Sequence, residues 1–139
     1  MTGFILRTKD DRIIRFRYYN DAAPVTTSAF DDQLPFTRIF VHARVSGAEF
    51  WTDDAPELHT IQENASIFAE VGEVVIGTVN PKRTRTAKCM GIYYGDGKGL
   101  DCCNIFAKVF DEDLAQLQEL GNQIWRQGEQ ELMFERLHS

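Results

Sequence analysis

The chain has 139 residues, 43% apolar and 26% charged, with a formal net charge of −6. That length suits one domain spanning residues 1–139, and the acidic balance excludes general affinity for nucleic acid or an anionic membrane, which needs clustered Lys and Arg. There is no membrane-length apolar run and no basic signal-peptide region in MTGFILRTKDD; Cys89, Cys102 and Cys103 form no disulfide framework or CxxC motif, so the cytoplasm is the expected compartment.

FILRT and RIIRFRYY are β-rich runs divided by Lys9-Asp10-Asp11, the pattern of a hairpin. Ile14, Phe16 and Tyr18 share one face of the second run, and Arg15, Arg17 and Tyr19 the other, so that strand is half-buried. Asn20-Asp21 turns the chain, and Pro24 suits the first position of a helix, where its missing N–H costs nothing. Val25 with Ala29, and Phe30 with Leu34, keep helical spacing. Pro35 then steers its predecessor out of the α region, so a short helix is predicted from about Pro24 to Gln33.

PFTRIFVHARV is the next strand. Thr37, Ile39, Val41, Ala43 and Val45 are expected to face a packed interior. Phe36, Arg38, Phe40, His42 and Arg44 then form a partly exposed functional wall; the plainer reading is an outer face whose long side chains lie over neighbouring strands. Ser46-Gly47 has the form of a two-residue hairpin loop. Such a loop sets Val45 opposite Ala48, Arg44 opposite Glu49, Ala43 opposite Phe50 and His42 opposite Trp51. Paired residues project to one side, so His42, Arg44, Glu49 and Trp51 are expected as one patch.

Beyond a polar loop with Pro56 and His59, EVVIG lacks alternation and implies a strand buried on both faces. NPKRTRTAK is a basic loop, CMGIYYGDGKG a strand closing in a glycine-rich turn, and DCCNIFAKVF a further strand. From Asp111 the pattern is helical: Asp111 is a good N-cap and Asp113 suits the N-terminal dipole. Leu114, Leu117, Leu120 and Ile124 form the apolar stripe, and Gly128 stops it. ELMFERL reads as a final strand. Seven or eight short strands and two helices, with no repeat or linker, fit a closed β-barrel capped by helices.

With these elements in place, the chain resembles the cyclophilin-like superfamily. AAPVTTSAFDDQLPF is similar to the A-P-x-T-x-x-x-F stretch of cyclophilins. LPF…HARVSGAEFW, ENASIFAEVGEVVIG, GIYYGDG and NIFAKVF…IWRQGEQELMFERL resemble a bacterial family of small cyclophilin-like proteins, a domain of unknown function. The likeness covers nearly the whole chain. It implies a mainly β fold, a closed cyclophilin-like barrel capped by two helices, with its functional wall on the outer face. There, true cyclophilins isomerise prolyl bonds with an arginine flanked by phenylalanine, glutamine and a tryptophan or histidine. Arg44, with Phe40 and His42 beside it, is the nearest counterpart. The F-H-R-x-I-x-x-F-M-x-Q-G-G-D signature is absent, however, and Glu49 stands where a neutral pocket is wanted, so prolyl isomerisation is not the expected reaction.

A histidine titrating near neutrality beside an arginine–glutamate pair supports acid–base work, which makes His42, Arg44 and Glu49 the catalytic candidates. The arginine can also clamp a carboxylate or cyclic imide. Phe40, Trp51, Tyr93, Tyr94 and Asn104 are the ligand-binding candidates. The plainer alternative is a cross-strand ion pair and a histidine stacked on tryptophan. Glu63-Asn64 reads as a cap for loop backbone groups, Gly95-Asp96-Gly97 as a turn, and Cys102-Cys103 as buried, inert thiols. Lys82, Arg83, Arg85 and Lys88 read as a solvated loop. His59 and His138 have no partner at ligand spacing, so neither metal nor cofactor is expected. Two functional readings stand: a protein that binds or converts a small polar metabolite, and a non-catalytic subunit or interaction module. Homo-oligomerisation is open in both.

Overall fold

The fold, a computed structural model describing residues 1–138, begins with the hairpin of β1 (Gly3–Arg7) and β2 (Ile13–Tyr18). Helix α1 (Pro24–Gln33) follows, then β3 (Phe36–His42), β4 (Gly47–Thr52) and the two-residue β5 (Ala65–Ser66). Next come β6 (Glu73–Ile76), β7 (Met90–Gly97) and β8 (Cys103–Val109). A 3-10 turn at Asp111–Asp113 leads into α2 (Leu114–Gln127) and β9 (Gln130–Arg136). The strands run in the order β2-β1-β9-β3-β4-β7-β6-β8, and β2 pairs with β8 to close an eight-stranded barrel. Closure leaves no unpaired barrel edge. The short β5 extends the sheet beyond β8.

Alternation along the strands sets what fills the barrel. Ile14, Phe16 and Tyr18 of β2 point inward with Phe4 and Leu6 of β1, and all are buried. Their aromatic rings interlock: Phe4 stacks on Phe16 at 4.9 Å, and Phe30 of α1 meets Phe4 at 4.9 Å and Phe106 at 4.8 Å. Burying one such ring contributes roughly 1.5–3 kcal/mol. Pro24 opens α1 at its first turn, and Leu34, extended at φ −72° and ψ 145° before Pro35, ends it. Helix α2 lies across β3, β4 and β7 and buries Leu117, Leu120 and Ile124. It approaches β7 closely at Gly121, where a Cβ would stand 2.2 Å from the Tyr94 ring. Asp113 is committed elsewhere than to the helix dipole. It accepts from Arg15 Nε at 2.8 Å, Arg15 Nη2 at 2.9 Å and the Arg15 backbone N–H at 2.8 Å, pinning α2 to β2.

Two features of the third strand correct the sequence reading. Its faces are exchanged: Phe40 is fully buried, whereas Ile39 is 51% exposed. Ring volume decides this, because Phe40 packs against Phe134 at 5.5 Å and Phe50 at 6.0 Å, a space that small aliphatic side chains would leave empty. The hairpin register also differs. Val41 lies opposite Trp51, His42 opposite Phe50, and the Ala43 N–H donates to the Glu49 carbonyl at 2.9 Å. Residues Ala43–Ser46 therefore form the connection, and Gly47 already belongs to β4, so Ser46-Gly47 is not a tight two-residue turn. Ser46 and Gly47 are held by β7 instead: the Lys98 N–H donates to the Ser46 carbonyl at 2.8 Å, and Gly47 pairs with Gly97. A shift of one residue sends every side chain to the other face.

Candidate functional site

On the shifted register, Glu49 and Trp51 of β4 share the outer barrel face with Tyr93 and Gly91 of β7. They line a cavity of about 550 Å³, together with Val75 of β6 and Cys103 of β8. That volume is in the range of small-metabolite sites. Ile67 and Ala69 form one wall, Val45 and Leu100 stand at the mouth, and Arg44 and Arg85 contribute to the lining. Both arginines are solvent-exposed, and neither has an ion-pair partner among the described residues. Asp101, the other acid of the lining, is engaged by Arg83 at 3.2 Å and by the Cys102 N–H at 2.7 Å.

Glu49 is the chemical centre of this cavity. Its residue is 8% exposed. The Ser46 hydroxyl donates to Oε1. Oε2 lies over Gly91, where a Cβ would come within 1.8 Å of it. Only a glycine leaves room for the carboxyl in this pose. Burial pushes the Glu49 carboxyl up to about 7, against the opposing pull of hydrogen bonds from the Ser46 and Tyr93 hydroxyls. The group therefore changes charge near neutrality, where a carboxyl can both take and return a proton. Tyr93 is itself pushed well above the ordinary phenol range, chiefly by burial and then by the Glu49 charge, so it remains a neutral donor.

The thiols beside it are not activated. Burial raises Cys103 to about 12 and Cys89 to about 11, and the Cys89 Sγ donates to the Arg85 carbonyl at 3.6 Å. A nucleophilic cysteine needs the opposite shift.

The other sequence candidates lie apart from this floor. His42 adjoins the cavity, yet its ring turns to the α2 side, where Nδ1 donates to the Ala43 carbonyl at 2.7 Å. Nε2 meets the Tyr94 hydroxyl at 2.6 Å, and the Trp125 ring of α2 lies 4.7 Å away. His42 thus has the opposite orientation to Glu49 and Trp51, and Tyr94 faces inward with it. Phe40 belongs to the core. Asn104 is fully buried: its Nδ2 donates to the Thr26 hydroxyl at 3.0 Å and the Ile61 carbonyl at 2.9 Å, and its Oδ1 accepts from the Glu63 N–H at 3.0 Å. Glu63 Oε1 in turn accepts from the Thr26 N–H at 2.5 Å and the Thr26 hydroxyl at 2.7 Å, supplying the cap that α1 lacks in its own sequence. Arg44, Glu49, Trp51 and Tyr93 remain together. Ser46, Arg85 and Gly91 join them without having been singled out as site residues; only Arg85, in a basic run of an acidic chain, carried any signal. Among the described residues no group of three His, Cys, Asp or Glu is placed to hold a metal ion, and no helix is long and apolar enough to cross a membrane.

Residues 8–135 match the protein family of unknown function DUF3830, and the chain belongs to that family. No curated protein matches significantly. Among solved structures, McbB in complex with tryptophan superposes with a TM-score of 0.79 at 14% identity, over 98% of this chain and 45% of McbB. The chain thus spans less than half of McbB's length. The hypothetical protein AF2241 from Archaeoglobus fulgidus gives 0.63 at 17% identity, covering 98% of this chain and 95% of that one. A cyclophilin-type peptidyl-prolyl cis-trans isomerase of Cryptosporidium parvum, in the presence of the dipeptide Ala-Pro, gives 0.59 at 15% identity, covering 99% of each chain. At these identities the likeness is one of fold, and the fold is the cyclophilin-like barrel.

Proposed function

We propose that this cyclophilin-like DUF3830 protein binds a small organic anion with an apolar or aromatic body in the outer-face cavity. The observation that carries the reading is the cavity of about 550 Å³ with an apolar floor around one buried carboxyl and two arginines that have no ion-pair partner among the described residues. In a chain of net charge −6, two uncompensated guanidinium groups at one cavity favour an anion there, and a guanidinium pairs a carboxylate in a two-pronged fork. Trp51, Val75 and Ile67 offer the apolar body a place to lie. The tryptophan bound by McbB, a zwitterion, shares the carboxylate and the aromatic body with that class, which supports the choice. Prolyl isomerisation fits less well, since a buried carboxyl occupies the floor where an uncharged proline ring would need apolar surface.

The test is calorimetric titration with phenylpyruvate, L-tryptophan and, as uncharged control, phenethyl alcohol. The reading expects the carboxylates to bind and the alcohol not to. It expects Arg44→Ala with Arg85→Ala together to weaken carboxylate binding by about tenfold or more, the scale of one lost charge-assisted hydrogen bond. Unchanged affinity in the double variant, or no binding of any carboxylate, contradicts it.

A docking role for the same face has its own support, since Val45 is 75% and Leu100 56% exposed at the mouth, and Phe68, next in the chain to the lining residue Ile67, is 66% exposed. A partner covering these side chains, including a second copy of the chain, would remove their apolar surface from water. Light scattering distinguishes the two: a dimer that reverts to monomer in Val45→Ser with Leu100→Ser favours docking, and a monomer in both forms disfavours self-association.

A further inference from the structure

We infer that the cavity catalyses proton transfer at carbon, with Glu49 taking and returning a proton on a 2-oxo acid that bears an apolar or aromatic side chain. This rests on the anion-binding reading above and adds a reaction to it.

The inventory of the cavity leads to this class. Covalent catalysis through sulfur lacks an activating base: Cys103 is buried and Cys89 half-buried as thiols, and His42, the nearest imidazole candidate, is engaged on the far side of the strand by Tyr94. Hydrolysis by two carboxylates, one acid and one base, lacks its second member, because Asp101 is held by Arg83. What is left is one carboxyl without a cation partner, deep in the cavity, with two hydroxyl groups beside it. Ser46 donates to its Oε1, and the Tyr93 phenol lies against the same carboxyl. Its other oxygen, Oε2, lies over Gly91, a residue of the cavity lining. A single base flanked by neutral hydroxyl donors is the equipment for removing a proton next to a carbonyl and stabilising the oxygen that gains charge.

The step balances without a co-reactant. A 2-oxo acid held by its carboxylate at Arg44 and Arg85 places its C3–H toward the floor. Glu49 Oε2 forms a bond to that proton, the C3–H electron pair becomes the C2–C3 double bond, and the carbonyl π pair moves onto oxygen. The resulting enolate oxygen accepts a hydrogen bond from the Tyr93 or Ser46 hydroxyl. Returning the proton to C3 restores the ketone, whereas placing a proton on oxygen yields the enol. Nothing is oxidised or reduced. The apolar walls from Val75, Ala69 and Ile67 keep bulk water from the carbanion-like centre.

The experiment is deuterium incorporation at C3 of phenylpyruvate in D2O, followed by proton NMR above the enzyme-free rate, in parallel with phenylpyruvate binding by calorimetry. The wild type is expected to bind and to exchange C3, with a rate that rises as Glu49 ionises. Glu49→Gln is expected to bind still and to lose exchange by about 100-fold or more, the usual contribution of a general base. Glu49→Asp, which keeps a carboxyl but withdraws it, is expected to lie between the two. Phenylpyruvate that binds the wild type without enzyme-dependent exchange overturns the inference and leaves the binding reading intact. So does Glu49→Gln exchanging at the wild-type rate. Absence of phenylpyruvate binding overturns the inference, and absence of L-tryptophan binding as well overturns both.

Discussion

Replacing Glu49 by glutamine removes a buried carboxyl that the fold strips of water without giving it a cation, and the consequence is a defined change in how stability depends on pH. In the folded chain this carboxyl sits at about 7, against 4.5 when solvated. Below pH 4.5 it is protonated in both folded and unfolded chains, and its contribution is fully present. Between 4.5 and about 7 the unfolded chain releases the proton while the folded chain keeps it, so stability falls as pH rises. Above about 7 both forms are ionised and the loss is complete. At about 1.4 kcal/mol per pH unit, the interval corresponds to about 3 kcal/mol. Glu49→Gln has no proton to lose, so its stability relative to wild type is expected to improve by about 3 kcal/mol between acid and mildly alkaline pH. Asp113 has the opposite sign: hydrogen bonds from Arg15 hold it below the ordinary carboxylate range, so its contribution is lost only as pH falls toward that lowered value. That contribution is common to both proteins and cancels in the comparison. The assay is urea unfolding of wild type and Glu49→Gln across this range, with m-values checked for constancy. A stability difference flat to within about 0.5 kcal/mol would mean that solvent or a counter-charge reaches the carboxyl, and the argument from burial fails.

Three further outcomes follow from the same geometry. Gly91→Ala puts a methyl carbon 1.8 Å from Glu49 Oε2, and the flexible carboxyl must swing aside. Folding stability is expected to change by less than about 1 kcal/mol, while the C3 exchange rate of phenylpyruvate falls toward that of Glu49→Gln; exchange at the wild-type rate would show that this pose is not the one used. Asn104→Ala loses its bonds to Thr26, Ile61 and Glu63 inside the protein, so a cost of about 2–4 kcal/mol is expected, read as a lower urea midpoint with phenylpyruvate affinity unchanged. An altered affinity at equal stability would return Asn104 to the site. Cys103 is expected to resist iodoacetamide at mildly alkaline pH in the folded protein and to react once urea exposes it, because burial holds its thiol up to about 12. Rapid labelling of the native protein would reverse that assignment.

The parts of the fold that were legible in the sequence share a physical reason. The two faces of β2 differ sharply, with Ile14, Phe16 and Tyr18 against Arg15 and Arg17, so period-two alternation assigns them without help. Helix α1 is bracketed by Pro24 and Pro35, and α2 by its leucine stripe and Gly128. β3 has apolar residues on both faces, and there periodicity is silent. The decision falls to volume, since the barrel needs the rings of Phe40, Phe50 and Phe134 to fill it. The hairpin register was also beyond local reading. Ser46-Gly47 has the composition of a tight turn, but its backbone is bound to Gly97 and Lys98, at and just past the end of a strand some fifty positions later in the chain. That distant pairing turns His42 away from Glu49.

The site was legible in its chemistry rather than in its assembly. Glu49, Arg44, Trp51 and Tyr93 stand out by residue type and lie on one cavity. Gly91 and Ser46 do not stand out, because their roles, making room for Oε2 and donating to Oε1, exist only once β4 and β7 are side by side. Asn104 looked like a pocket polar group and is instead part of a closed set of hydrogen bonds around the start of α1, where Glu63 does the capping expected of it.

The central claim is that the outer barrel face around Glu49 is where a small organic anion binds. Backbone amide chemical shifts of the 15N-labelled protein during titration with phenylpyruvate test it most directly. The account predicts saturable perturbations concentrated at Arg44–Glu49, Gly91–Tyr93, Arg85–Thr86 and Gly99–Cys103, the segments that line the cavity. Saturable perturbations confined to α2 around Trp125, or no saturable response at any residue, would contradict it.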